Sequence, residues 1–189
     1  GTIQNMIGDQ DIPAKYTTPQ AWELNVLLSQ MYKSGCEYVV MEVSSMALVQ
    51  QRLYGIEFDV AVFTNLTQDH LDYHKTMEEY FKAKCILFEN SKNIIINADD
   101  EYGRRIAQQY KNSERNAVTF SLKDDSADCT AKNIQLSGTG SKFIMVSCGS
   151  INRVEFSMPG EYSVQNAIGS ALACQYLGFD IAEICENMK

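Results

Sequence analysis

Residues 58–88, FDVAVFTNLTQDHLDYHKTMEEYFKAKCILF, pass from a short apolar run through a polar loop into an amphipathic helix. Val60-Ala61-Val62-Phe63 is continuous rather than alternating, the pattern of a strand buried on both faces of a parallel sheet. The polar stretch that follows, Thr64 to His74, holds both histidines of the chain. From 77 to 88, Met77, Tyr80, Phe81, Leu87 and Phe88 share one stripe at helical spacing, which predicts a helix with one core-facing side. Strand, polar loop and helix in this order form the repeating unit of an α/β sheet.

Outward from this unit the rhythm continues. Downstream, the pattern predicts a strand at 93–97, a helix over about 99–109 and a strand at 117–121. Upstream, Tyr38-Val39-Val40-Met41 reads as a second buried strand. Before it a helix runs from Ala21 to about Gly35, with Thr18 as cap and Pro19 as first helical residue. Residues 1–19 read as irregular, punctuated by Gly8-Asp9, Pro13 and Pro19. Residues 128–157 alternate around Gly138, Gly140 and Gly149, as antiparallel strands do. The tail returns to helix at 167–177 and 181–188, broken by Gly178. The expected fold is α/β: a doubly wound, mostly parallel sheet flanked by helices, with a small antiparallel β region near 128–157.

Composition narrows the function. A length of 189 residues suits one large domain, or one domain plus a small appendage, and supports a core without disulfides. The net charge of −8 argues against non-specific nucleic-acid binding, which needs basic surface to displace counterions. No apolar run approaches the ~20 residues that span a bilayer, and residues 1–4 lack the features of a signal peptide. Six cysteines, at 36, 85, 129, 148, 174 and 185, show no CxxC spacing, so ordinary packed thiols of a reduced, cytoplasmic protein are expected.

Open α/β sheets place their ligand sites at the carboxyl ends of the strands. Two strand ends here are polar: Glu42-Val43-Ser44-Ser45, and Thr64 to His74. Carboxylates with imidazole suit a divalent cation, but a loop capped by Asp69 with surface histidines would have the same spacing. Lys84 is sharper. At 100° per residue it projects into the apolar stripe of its helix, while Lys82 points away. Either its stem packs while the ammonium reaches water, or the amine is desolvated, its pKa lowered and its chemistry opened. Thr17-Thr18 could present hydroxyls to an anion or simply cap a helix, and Asn166 could read a base edge or simply pack. No Gly-x-x-x-x-Gly-Lys-Ser/Thr loop occurs in the chain, and neither histidine has a serine or cysteine partner assignable from sequence.

Four stretches in order, GTIQNMIGDQDIPAKYTTPQA, MEVSSMALVQQR, residues 58–88 and GEYSVQNAIGSALA, resemble the Mur ligases of bacterial cell-wall synthesis, most closely the MurE branch. Residues 110–157 carry little of this signature. The resemblance implies that 1–189 is the central ATPase domain. Its phosphate-binding (Walker A) segment is expected just before Gly1, and the UDP-binding and C-terminal domains are expected outside the chain. The implied reaction is ATP- and Mg²⁺-dependent ligation of a free amino acid to UDP-MurNAc-L-Ala-D-Glu through an acyl phosphate, with the isolated chain inactive. By the same resemblance Thr17, Thr18, Ser44, Gln50 and Arg52 contact the UDP-MurNAc-dipeptide. Glu42, His70 and an N-carboxylated Lys84 hold the metal, Asn65 lies near the reacting phosphates and Asn166 near adenine. Two positions depart from the family pattern: Met46 stands where it has His, and Ser163 where it has Asn. A related superfamily ligase (folylpolyglutamate, cyanophycin or MurF-like), a non-catalytic nucleotide-sugar-binding module and a metal-dependent phosphohydrolase built on the acidic-histidine run are the alternative readings.

Overall fold

The computed structural model describes residues 1–147 and 149–189; Cys148, one of the six expected thiols, lies outside the described residues. Two compact units form, Gly1–Ile56 with Gln68–Glu89, and Glu57–Thr67 with Asn90–Lys189.

The first unit opens on a hairpin where irregular chain was expected. Strands β1 (Gln4–Ile7) and β2 (Gln10–Pro13) pair antiparallel, with Ile7 opposite Gln10. The two residues between them are Gly8-Asp9, and Gly8 sits at φ +56°, which glycine adopts without Cβ strain. Helix α1 (Ala21–Lys33) is capped by Gln20 rather than Thr18, and the Glu23 carboxylate accepts the Gln20 N–H at 3.3 Å. It ends at Gly35 (φ +80°), where Cys36 N–H reaches back to the Met31 carbonyl at 3.0 Å. Residues 38–41 are the clearest departure from expectation: they join neither sheet, and Val40 is 95% exposed. An apolar run is only a strand when a neighbouring strand takes its ladder. Two short helices that periodicity missed, α2 (Ser45–Val49) and α3 (Leu71–His74), pack with α4 (Met77–Glu89).

The second unit is a six-stranded sheet whose strands lie in sequence order: β3 (Phe58–Phe63), β4 (Ser91–Asn97), β5 (Asn116–Ser121), β6 (Cys129–Leu136), β7 (Ser141–Ser147) and β8 (Ser150–Phe156). The β3 to β6 pairings are parallel, and β7 and β8 add antiparallel, as the change in pattern near 128 predicts. Helix α5 (Glu101–Tyr110) packs on the face that carries Phe63. Helix α6 (Glu161–Tyr176), which starts six residues before its expected position, packs on the face that carries Val62, and α7 (Ile181–Glu186) joins it. With both faces covered, Ile94, Ile95 and Ile96 are all fully buried, each contributing about 1.5–3 kcal/mol of burial free energy. The main cluster joins Ile95, Phe120, Met145 and Val154 of the sheet to Val164, Ile168 and Leu172 of α6.

Candidate functional site

Thr18 is fully buried, and its hydroxyl organises the loop that follows residues 38–41. It donates to the Glu42 carbonyl at 2.9 Å and accepts the Ser44 N–H at 2.9 Å. That double role explains why Thr18 does not cap α1: its hydroxyl is committed elsewhere. Ser44 in turn caps α2, its Oγ accepting the Ala47 N–H at 3.3 Å. Arg52 donates from Nη1 to the Thr18 carbonyl at 2.9 Å and from Nε to Gln50 Oε1 at 2.8 Å, and its guanidinium lies 5.1 Å from the centre of the Tyr16 ring. Thr2 donates its hydroxyl to the Glu42 carboxylate and lies 3.2 Å from the Thr17 hydroxyl. Thr17, Thr18, Glu42, Ser44, Gln50 and Arg52, read separately from sequence, therefore belong to one hydrogen-bonded cluster. Within it Gln50 and Glu42 remain exposed, while Thr18 acts as the internal tie.

His70 and Lys84 meet at a single ring. The Lys84 ammonium lies 5.4 Å from the centre of the Tyr80 ring, and the His70 ring meets Tyr80 edge-on at 6.1 Å. Lys84 is half-buried and Lys82 exposed, as the helical stripe predicts. Burial lowers the Lys84 pKa from its ordinary 10.5, because the interior disfavours the ammonium. His70 takes a left-handed backbone (φ +53°), uncommon for a residue with a Cβ, and its Nε2 lies 3.5 Å from the Asp69 carboxylate. Lys75, at φ +65°, closes the far end of α3 in a second strained conformation.

Sequence missed the partner of the second histidine. His74 is buried, with Nε2 2.7 Å from the equally buried Ser45 Oγ, and its ring stacks on Tyr80 at 4.8 Å and 11°. Burial, with the His70 charge next, lowers its pKa below 6.5. A nucleophile has to reach substrate, and this serine is 2% exposed, so the pair is not a hydrolytic dyad. Only the fold could reveal it, since 29 residues separate the two in sequence.

As unmodified side chains, these groups do not assemble a metal site: among the described residues no cluster of three or more histidine, cysteine or acidic side chains is poised for a metal. Mg²⁺ takes oxygen donors, and a lysine ammonium repels it. A carboxylate on Lys84 would remove that repulsion and add oxygen donors beside the His70 ring, while the Glu42 carboxylate is bonded to Thr2. The lowered Lys84 pKa favours the neutral amine that such a modification needs.

The second unit has its own groove, of about 550 Å³, at the carboxyl ends of the parallel strands. Asn65 and Thr67 follow β3, Asn97, Asp99 and Asp100 end β4, and Lys123 follows β5. The first turns of α6 add Glu161, Tyr162 and Gln165. Asp99 ties three elements together: its carboxylate accepts from the Ser121 hydroxyl, the Leu122 N–H at 2.9 Å and Gln165 Nε2 at 3.4 Å. Asp100 caps α5, accepting the Tyr102 N–H at 2.9 Å and the Gly103 N–H at 3.1 Å, and it also takes the Leu66 N–H at 3.2 Å. Both carboxylates are thus spent on structure. Asn65, among the expected residues, lines this groove; Asn166 stands exposed on α6 next to Gln165 and outside the lining. Ser163 donates its hydroxyl to the Pro159 carbonyl at 2.8 Å.

Among the described residues no helix is long and apolar enough to cross a membrane, and Cys36, Cys85, Cys129, Cys174 and Cys185 are thiols. Across all 189 residues the chain is 47% identical to the UDP-N-acetylmuramoyl-L-alanyl-D-glutamate–2,6-diaminopimelate ligase of Clostridium tetani, and spans 38% of that protein. It is 45% identical to ligase 1 of the same name from Clostridium acetobutylicum, again spanning 38%. A solved structure of a UDP-N-acetylmuramoyl-L-alanyl-D-glutamate–2,6-diaminopimelate ligase superposes with a TM-score of 0.91 at 32% identity, covering 100% of this chain and 39% of that one. Residues 1–174 match the family described as the Mur ligase middle domain, and the chain belongs to that family.

Proposed function

We propose that these residues are the central domain of an ATP-dependent ligase that joins an amino acid to UDP-MurNAc-L-Ala-D-Glu in the cytoplasm, its UDP-binding and C-terminal domains lying outside this chain. The observation that carries this reading is the similarity to the clostridial ligases, which runs unbroken from residue 1 to residue 189. The names of those relatives favour 2,6-diaminopimelate as the amino acid.

In this reading the polar cluster of the first unit binds the UDP-MurNAc-dipeptide. Arg52 supplies a fixed guanidinium, held by Gln50 and the Thr18 carbonyl. Thr17 and Ser44 supply hydroxyls, and Thr18 holds the loop that presents Glu42 and Ser44. Lys84, as a neutral amine, attacks CO₂: a nitrogen–carbon bond forms, the π electrons move to oxygen and the nitrogen releases a proton to solvent. The resulting carbamate, with Glu42 and His70, would hold Mg²⁺. Mg²⁺ when bound neutralises charge on the transferring phosphoryl group. In the second unit, Asn65 and the amide-lined groove with the exposed Tyr162 ring serve the nucleotide, and Asn166 lies on the same helix, α6.

The test uses the full-length polypeptide: phosphate release from ATP with Mg²⁺, UDP-MurNAc-L-Ala-D-Glu and a panel of amino acids. Release that needs both the dipeptide and diaminopimelate supports the reading; release with L-lysine alone would change the amino acid. A folded protein that binds the UDP-dipeptide yet turns over with no amino acid would instead be a binding module. These 189 residues by themselves, which contain no Walker loop, are expected to show no ATP turnover.

A further inference from the structure

Two residue pairs spaced by four face each other in the first unit. The His74 N–H donates to the His70 carbonyl at 3.0 Å, so His70 and His74 lie one helical turn apart. Tyr80 and Lys84 occupy one face of α4 at the same spacing. The His74 and Tyr80 rings stack, with Lys84 and His70 against Tyr80. On its other side, His74 is hydrogen-bonded to Ser45, the first residue of α2, directly after Ser44. The stack therefore joins the start of α2 to both groups assigned to the metal.

We infer that Ser45, His74 and Tyr80 are positioning residues of the ligase reaction, holding Lys84 and His70 in fixed relation to the Ser44 end of α2. This rests on the roles proposed above for Lys84 and His70. None of the three need touch substrate: Ser45, His74 and Tyr80 are all buried. Their effect is on geometry, which matters because phosphoryl transfer depends mainly on placed charge, and a displacement near 1 Å can cost about a hundredfold in rate. A buried hydrogen bond at one edge of a stacked ring restrains the in-plane rotation and sliding that stacking alone leaves loose.

The experiment uses the full-length enzyme with Ser45→Ala, His74→Asn and His74→Gln. Glutamine places an amide near the position of imidazole Nε2, whereas asparagine falls short of it. Ser45→Ala and His74→Asn are expected to lower kcat at least about tenfold, with KM and calorimetric affinity for UDP-MurNAc-L-Ala-D-Glu changed less than about threefold. His74→Gln is expected to recover most of that loss. A second readout is the ¹³C resonance of a Lys84 carbamate formed from labelled bicarbonate, expected to weaken in His74→Asn and to return in His74→Gln. Wild-type kcat in His74→Asn overturns the inference. So does a parallel loss of dipeptide affinity and kcat that glutamine does not relieve, which would mark a purely structural pair. An unsubstituted enzyme without a carbamate resonance, and a Lys84→Ala variant at full kcat, would sink the Lys84 role instead. In that event a kcat loss in His74→Asn, still rescued by glutamine, upholds positioning through His70.

Discussion

Lys84 shows how surroundings change a side chain's acidity. Nothing in its covalent structure distinguishes it from Lys82 two residues earlier, yet one is half-buried and the other exposed. The desolvated amine has a lowered pKa, and a neutral amine is what reacts with CO₂. Replacing it with alanine in the full-length enzyme is expected to lower turnover at least about a hundredfold while dipeptide affinity stays within about threefold; calorimetry beside steady-state kinetics decides it. His74 supplies a pH dependence. Its folded pKa lies below the unfolded 6.5, so the unfolded chain binds the extra proton, and stability is complete above that value and lost as pH falls through it. The slope is at most about 1.4 kcal/mol per pH unit for one group. Urea midpoints at pH 7.5 and 5.5 should therefore differ less for His74→Gln than for the unsubstituted protein.

Among the elements, α5 depends on the acidic residue that precedes it. Asp100 satisfies two N–H groups of its first turn and also holds Leu66. Asp100→Ala should cost about 1–2 kcal/mol, typical of a lost helix cap, read as a lower urea midpoint with an unchanged slope. Gly103, one turn along, touches the end of β4: a Cβ there would lie 1.9 Å from the Asn97 carbonyl oxygen. Gly103→Ala is therefore expected to destabilise, by at least the roughly 1–3 kcal/mol of overpacked cores, despite alanine's better helix propensity. Were its midpoint to rise instead, the close approach of α5 to β4 would be wrong. Helix propensity and packing make opposite predictions at this position, and the contact distance determines which prevails.

Taken whole, the molecule distributes its candidate residues over two units. The substrate-type cluster, His70 and Lys84 fall in one, and the groove at the strand ends falls in the other. Asp99 is the tie of the second unit, linking the ends of β4 and β5 to α6. Asp99→Ala removes acceptors from a buried hydroxyl, a backbone N–H and an amide at once, and should lower stability by about 2–4 kcal/mol, since each orphaned group costs about 1–3 kcal/mol. A thermal melt within a degree of the unsubstituted protein would show that tie to be dispensable.

Sequence alone was enough for whatever depends on local pattern. The continuous run at 60–63, the stripe of 77–88, the change to alternation near 128 and the inward direction of Lys84 all follow from periodicities of two and of 3.6 residues. Gly8-Asp9 also carried a hairpin signal, legible in principle and outweighed by the prolines around it. What only the tertiary structure decided depends on partners far away in the chain. Residues 38–41 read as a strand because apolar runs usually find a ladder, and here they join none. Thr18 read as a cap, until its hydroxyl met Glu42 and Ser44, 24 and 26 residues away. The Ser45–His74 bond and the ring stack on Tyr80 have no sequence signature, because a hydrogen bond between distant side chains leaves no period to detect. Pattern reports which way a side chain points; only folding reports what it meets.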